Sequence, residues 1–321
     1  MIIYDTNIYE TRRDGHAVFA LYQACFHDTW PLQADAFHAI ISHHGDYRAG
    51  DHFVIEKNGC IVGFVATQLR RQEDEPALTG GIALLMVHPQ WRRKGIGRQL
   101  HDQAISHLKQ FDLKHIFLAN GSSHRLWQGI PDNLPTAQAF FHTCGWSDDE
   151  RSQDLVGDVH ELKSFAEVTK QRSLPDISIR LAEANDQQAI LNFEGREFPH
   201  WKAFYQSSLE ENQLDDILIA HSQDGEIIAA LLLSDWQSPQ FKTKFLWHEQ
   251  FDKRLGALGA VGVAQKWNDQ GIGSALVARG AEIIKARDVG CIYIAWTGRA
   301  SFYERLGYRL WQEYCHMAYE L

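Results

Sequence analysis

Two short stretches carry the residue types best suited to hold an anion. In the second half, Val261-Gly262-Val263-Ala264-Gln265-Lys266-Trp267-Asn268-Asp269-Gln270-Gly271-Ile272-Gly273 runs from an apolar segment through a polar turn to two glycines. In the first half, Leu84-Leu85-Met86-Val87 leads through His88-Pro89-Gln90-Trp91-Arg92-Arg93-Lys94 to Gly95-Ile96-Gly97. Each opens an amphipathic segment. Ile272, Leu276 and Ile283 fall on one helical face, as do Ile96, Leu100, Ala104 and Leu108. Glycine lets a ligand approach the backbone closely, and the unpaired amides of a first helical turn point outward. The helix dipole adds attraction for negative charge, so each turn suits a phosphate. A nucleotide-binding P-loop would place Lys-Ser/Thr after the glycines, whereas Arg98 and Ser274 stand there.

Composition limits what the rest can be. The chain has 321 residues, 45% of them hydrophobic and 22% charged, which describes an ordinary folded protein of about two domains. A formal net charge of −10 argues against nucleic acid or an anionic membrane surface as a partner, and it tolerates cationic substrates such as amines. No apolar run approaches the ~20 residues of a membrane span. Met1 to Gly15 is charged and has no apolar centre, so no secretory signal is expected there. Five scattered cysteines without a Cys-x-x-Cys fit reduced thiols and a cytoplasmic location. His38, His43, His44 and His52 lack Cys or carboxylate at ligand spacing, so no metal site is expected.

The turns must be positioned by flanking elements, and these elements occur twice. Residues 1–50 read as mainly helical, with Phe19, Tyr22, Phe26, Trp30 and Phe37 as packing aromatics. A hairpin around Asn58-Gly59 follows, then a strand into the first glycine turn. Lys114 to Ala119 is β-rich, Asn120 to Pro135 is a polar loop, and a helix from Thr136 ends at Cys144-Gly145-Trp146. Leu155 to Leu162 reads as a closing strand. Glu167 to Asp176 is polar, contains Pro175 and lacks periodicity, so it reads as a linker. The order then repeats: a strand at Ile177 to Leu181, helices over 184–214, a hairpin around Asp224-Gly225, the second turn, and Gly307 in the place of Gly145. Duplication of one ~150-residue α/β unit explains this order, with an N-terminal domain at 1–166 and a C-terminal domain at 176–321.

Both turns resemble the pyrophosphate loop of the GNAT (GCN5-related) N-acetyltransferases, whose pattern is Arg/Gln-x-x-Gly-x-Gly/Ala. The first copy matches with Arg92, Gly95 and Gly97; the second keeps Gly271 and Gly273 but has Asn268 where Arg or Gln is usual. The resemblance implies an α/β fold built as a tandem duplication of the GNAT fold, each copy a mixed, mostly antiparallel sheet flanked by helices. It also implies two parallel strands that splay apart in each half, at 82–87 with 114–119 and at 258–263 with 291–296. Acetyl-CoA is the implied cofactor. Val261, Val263, Asn268, Gln270, Gly271, Gly273 and Ser274 would hold it in the second half, and Val87, Arg92, Lys94, Gly95 and Gly97 in the first.

The family's acid is a Tyr in Phe-Tyr-x-x-x-Gly-Phe/Tyr. Phe302-Tyr303-Glu304-Arg305-Leu306-Gly307-Tyr308 has it, while Phe140-Phe141-His142-Thr143-Cys144-Gly145-Trp146 has Phe141 at that place. A neutral phenol can donate toward a thiolate at pH 7 and a phenyl ring cannot. The resemblance therefore puts catalysis in the C-terminal domain, with Tyr303 as acid, and leaves the N-terminal domain non-catalytic. Tandem members often carry an acidic residue before Trp-Thr on the second splayed strand. Here Ala295 precedes Trp296-Thr297, so the base is open among Asp235, His248 and Glu249. Trp201, Trp236, Trp247 and Trp296 are candidates for stacking on a sugar or ring. The pattern as a whole, with Leu126-Trp127-Gln128-Gly129-Ile130-Pro131, is similar to bacterial glucosamine or glucosaminide N-acetyltransferases. A small-molecule primary amine, an amino sugar above all, is the implied acceptor, for a monomer or homodimer. Alternatives are an acceptor like a mycothiol precursor, a peptide or protein amine, or a non-catalytic acyl-CoA sensor.

Overall fold

In a computed structural model, the described residues are 3–44, 47–71, 78–113, 115–119, 125–171, 174–238 and 245–321. Lys114, residues 120–124 of the polar loop, and Arg172 and Ser173 of the expected linker lie outside them. Packing divides the chain into two units, one of residues 1–152 with 312–321 and the other of residues 153–311.

Unit 1 contains β1 (Thr6–Ile8), α1 (Thr11–Phe26), α2 (Ala34–Ile41), β2 (His52–Lys57), β3 (Cys60–Arg71), β4 (Leu78–Val87), α3 (Ile96–Leu108), β5 (His115–Leu118), β6 (Ile130–Pro131) and α4 (Pro135–Thr143). Strands β1 to β4 pair antiparallel in sequence order, and β4 pairs parallel with β5. Asn58 and Gly59 both adopt positive φ, at 53° and 75°, which is the turn that Asn-Gly favours between twisted strands. The expected stripe of α3 is all buried: Ile96, Leu100, Ala104 and Leu108 pack on the sheet. Tyr22, Trp30 and Phe37 are buried as packing aromatics, and His52 Nε2 donates to the Ile41 carbonyl oxygen at 2.8 Å inside the core.

Unit 2 repeats the plan. It contains β8 (Ile177–Leu181), α6 (Gln187–Glu197), α7 (Lys202–Glu210), β9 (Ile217–Ser222), β10 (Ile227–Asp235), β11 (Leu255–Val263), α8 (Ile272–Ala286), β12 (Cys291–Thr297) and α9 (Ala300–Glu304). Strands β8 to β11 are antiparallel neighbours and β11 pairs parallel with β12. Helix α8 buries Ile272, Ala275, Leu276 and Ile284, with Ile283 flanking them. At Gly280 an added Cβ would stand 3.3 Å from Leu231, Leu233 and Leu258, so the helix lies close on its sheet.

The last strands depart from the expected order. β7 (Ser147–Asp158) replaces the closing strand expected at Leu155 to Leu162. Its residues 153–158 belong to unit 2 and pair antiparallel with β12. Residues 312–320 of β13 (Arg309–Glu320) belong to unit 1 and pair antiparallel with β5. Each unit is thus completed by a strand from the other half of the sequence. The segment with linker composition begins inside helix α5 (Phe165–Gln171), whose Val168 is buried in the core of unit 2. Polar residues dominate this helix because only one of its faces is covered.

Candidate functional site

The two glycine turns share one backbone conformation. Arg92 has φ −64° and ψ 158°, and Asn268 has −62° and 156°. Arg93 and Asp269 both have φ 62°. Gly95 and Gly271 then cap their helices in the left-handed region, at φ 90° and 86°. A side chain there would cost about 1–2 kcal/mol, which explains the glycine at both caps. The first helical amide bonds are Gln99 N–H to the Gly95 carbonyl and Ala275 N–H to the Gly271 carbonyl. Among the described residues, the amides of Gln270, Gly271, Ile272, Gly273 and Ser274 donate to nothing. A row of free donors at a helix start is an anion cradle. An added Cβ at Gly271 would have no described atom within 4 Å, so the space in front of the turn is open.

Val261, Val263, Asn268, Gln270, Gly271, Gly273 and Ser274 therefore lie in one strand–turn–helix connection, as do Val87, Arg92, Lys94, Gly95 and Gly97. Two cations of the first turn are engaged locally. Arg92 Nε donates to the Val87 carbonyl at 3.1 Å, and Lys94 Nζ donates to the Gln90 carbonyl at 3.0 Å and lies over the Trp91 ring. Gln270 Nε2 makes the matching bond to the Lys266 carbonyl at 3.3 Å.

Behind each turn, the parallel strands part. β4 and β5 pair only from Gly80↔Ile116 to Ile82↔Leu118, and β11 and β12 only from Leu255↔Cys291 to Ala257↔Tyr293. Bulges drive the separation: the β3–β4 register shifts at Ala66/Thr67, and the β10–β11 register at Ala230/Leu232, opposite Ala260 at φ 46°. In unit 1 the gap is an apolar cavity of about 70 Å³, walled by Ile82, Leu84, Leu118, Trp127 and Phe141.

Tyr303, on α9, is buried in the core of unit 2 together with Ile292 and Ile294 of β12. The ring of the preceding residue, Phe302, lies 3.6 Å from a Cβ built on Gly273, so α9 rests directly on the glycine turn. Phe140 meets Gly97 in the same way at 3.5 Å, and Phe141 takes the place of Tyr303. Burial pushes the Tyr303 phenol up to about 12, partly offset by Arg299, so it stays protonated at neutral pH. Its hydroxyl makes no hydrogen bond among the described residues.

The expected bases fare differently. Asp235 is buried and paired with Arg287, at 3.0 Å from its Nη1, and it caps Gln237 N–H at 2.8 Å. That carboxylate stabilises a turn. His248 and Glu249 lie in a short 3₁₀ turn on the surface side of the chain. Of the tryptophans, Trp247 is buried and Trp201 stacks on Phe198, whereas Trp236 and Trp296 are exposed. A further carboxylate, which spacing did not single out, lies beside β12. Asp154, on β7, accepts a hydrogen bond from Trp296 N–H at 2.7 Å and another from the Tyr293 hydroxyl. No local pattern pointed to it, because it enters unit 2 through the strand that the two halves exchange.

The comparisons agree with this geometry. The sequence matches the Acetyltransferase (GNAT) family twice, over residues 15–130 and 185–308. Among solved structures, a fungal multi-domain GH3 β-N-acetylglucosaminidase, described as having a GCN5-related glucosamine N-acetyltransferase region, is 29% identical with a TM-score of 0.85. It is matched over 99% of this chain, which spans only 38% of the length of that protein. A GCN5-related N-acetyltransferase from Sphaerobacter thermophilus shares the fold at 17% identity and TM-score 0.66, over 99% of this chain and 95% of that one. A tandem GNAT protein of the clavulanic acid biosynthesis pathway does so at 13% identity and TM-score 0.64, over 99% and 98%. A search of the curated proteins finds no match. With the domain matched in both halves and each half folded around a glycine turn and a parting pair of strands, the chain belongs to the acetyltransferase (GNAT) family as a tandem member.

Proposed function

We propose that unit 2 transfers acetyl from acetyl-CoA to a primary amine of a small molecule, an amino sugar such as glucosamine. One observation carries this assignment: unit 2 combines the free amide cradle at Gly271–Ser274, the gap between β11 and β12, and a protonated phenol packed beside the turn. The cradle would take the pyrophosphate. Val261 and Val263, on the parted stretch of β11, would line the arm that carries the thioester. Tyr303 would donate to the sulfur as charge develops there, and the acceptor nitrogen would add to the carbonyl carbon. The fit to CoA rests on the unpaired amides and on the open space that a Gly271 side chain would enter.

Unit 1 keeps the cradle, with Arg92 and Lys94, but has Phe141 where the donor is needed. We assign it no turnover. The amino-sugar acceptor is supported by the glucosamine N-acetyltransferase region of the fungal protein, similar at 29% identity over 99% of this chain. Five free thiols accord with a cytoplasmic enzyme. Among the described residues, no helix is long and apolar enough to cross a membrane.

The test is thiol release from acetyl-CoA with a panel of amines that includes glucosamine, using wild type, Gly271→Ala and Gly95→Ala. Wild type should release thiol only when an accepted amine is present. Gly271→Ala should lose about 1–2 kcal/mol of stability from the left-handed backbone. Its methyl group should also weaken acetyl-CoA binding in turnover by about tenfold, equivalent to ~1.4 kcal/mol. Gly95→Ala should lose similar stability and keep its KM for acetyl-CoA. The opposite pattern would move the reaction to unit 1.

A further inference from the structure

Asp154 is the most deeply placed carboxylate at the gap of unit 2, at 1% exposure. Its neighbours define its orientation. Oδ1 accepts the Trp296 amide at 2.7 Å and Oδ2 accepts the Tyr293 hydroxyl. These two bonds, one to each carboxylate oxygen, fix the orientation of the group.

The surroundings of that carboxylate are unusual. β7 and β12 pair from Cys291↔Asp158 to Ile294↔Leu155, and the register then jumps to Thr297↔Gln153. β12 therefore has one residue more than β7 at this place, and the bulge lies opposite Asp154. Trp296 adopts φ 49° within it, and Ala295 and Trp296 are exposed. A bulge that opens a strand end beside a buried charge is a common way to re-aim groups at a site. The parallel pairing of β12 with β11 has already ended at Tyr293. Asp154 thus stands at the margin of the gap, beside a stretch of β12 that solvent reaches.

The two faces of β12 separate the two ionisable groups. Ile292 and Ile294 pack in the same core as α8 and Tyr303. Tyr293 packs in the opposite cluster with Val156, Leu255 and Ala257. Asp154 precedes Val156 by two residues on β7, so it shares that second face. A hydrogen-bond donor and a carboxylate therefore approach one gap from opposite sides. In unit 1, His316 occupies the corresponding place, nine residues after Gly307 as Asp154 is nine after Gly145. Its Nε2 is 2.7 Å from Ser152 Oγ. Unit 1 thus lacks both the phenol and the carboxylate.

We propose that Asp154, brought to unit 2 by the exchanged strand, is the proton acceptor for the acceptor ammonium. This rests on the acetyl transfer assigned to unit 2 above. The ammonium gives one proton to Asp154, and the freed nitrogen forms the C–N bond with the acetyl carbon. As the C–S bond breaks, the nitrogen loses its second proton; one proton ends on the CoA sulfur, aided by Tyr303, and Asp154 releases the other to solvent. Amide, free thiol and one proton are the products, so the atoms and charges balance.

The experiment measures amine-dependent thiol release by Asp154→Asn, with acetyl-CoA affinity measured separately. At pH 6.5 its kcat/KM for glucosamine should fall about 100-fold or more, with acetyl-CoA binding within about threefold of wild type. At pH 9, where solution supplies free amine, the deficit should shrink below about tenfold. A purely structural role predicts the same loss at both pH values, and that result, or turnover within about threefold of wild type at pH 6.5, would overturn the assignment. If D154N also loses acetyl-CoA binding, Asp154→Ala decides. Added formate should restore turnover to that variant, and its failure to do so would count against the proposal. A wild-type enzyme that releases no thiol with any amine would instead defeat the proposed function itself.

Discussion

Tyr303→Phe should lower kcat by about 100- to 1000-fold while leaving acetyl-CoA affinity unchanged. The ring fills a buried position in the core of unit 2, at 8% exposure, and Phe keeps that volume. Only the hydroxyl is lost, and it has no partner among the described residues. No buried acceptor is therefore left unsatisfied, and stability should hold within about 1 kcal/mol. With its phenol pushed up to about 12, Tyr303 is a weaker acid than an ordinary thiol. In the proposed mechanism its contribution is a hydrogen bond to the sulfur as negative charge develops, an interaction made in the transition state and hardly at all in the bound thioester. That is why kcat should fall and binding should not. Steady-state kinetics with an equilibrium titration of acetyl-CoA checks both quantities. The reciprocal change, Phe141→Tyr, should create no comparable turnover, because unit 1 has His316 where unit 2 has Asp154.

The second large effect concerns stability. Glu194, on α6, is fully buried, and neither carboxylate oxygen has a hydrogen-bond partner among the described residues. Tyr205, the polar side chain that influences it, gives its own proton to the Ala260 carbonyl at 2.8 Å. Burial pushes the Glu194 carboxyl up from 4.5 to about 8. Between those values the folded chain holds a proton that the unfolded chain has released. Stability must therefore fall as pH rises through this window, by roughly 3–5 kcal/mol when complete above pH 8. Glu194→Gln removes the titration and keeps the shape. Its urea-unfolding free energy should exceed that of wild type at pH 8.5, and the difference should shrink toward pH 5. Parallel pH profiles for the two proteins would show that Glu194 has a hydrogen-bond donor or water beside it after all.

Much of this fold could be read from local chemistry. The Gly-Ile-Gly turns, the Asn58-Gly59 hairpin and the apolar stripe of α3 each state a backbone requirement in a few residues, and each element forms where those residues stand. The duplication multiplied that signal, since one turn checks the other. The parting of the parallel strands was legible only through the resemblance, because Ala260 and Trp296 adopt left-handed φ without being glycine or asparagine. The exchange of β7 and β13 was not legible at all. Two similar sheets offer similar edges, and the period-two pattern of a strand says which face is buried and nothing about which neighbour it joins. Asp154 stayed hidden for the same reason. The segment 167–176 was misjudged as wholly linker because α5 is short and covered on one face, so its polar residues outnumber Val168.

The central claim is that Tyr303 of unit 2, and no group of unit 1, meets the sulfur of the cofactor. A crystal structure with acetyl-CoA bound tests it most directly. The account predicts the pyrophosphate on the amides of Gly271 to Ser274, the thioester between β11 and β12, and the Tyr303 hydroxyl within hydrogen-bond distance of the sulfur. Acetyl-CoA seated only between β4 and β5, or a Tyr303 hydroxyl turned away from the sulfur in unit 2, would contradict it.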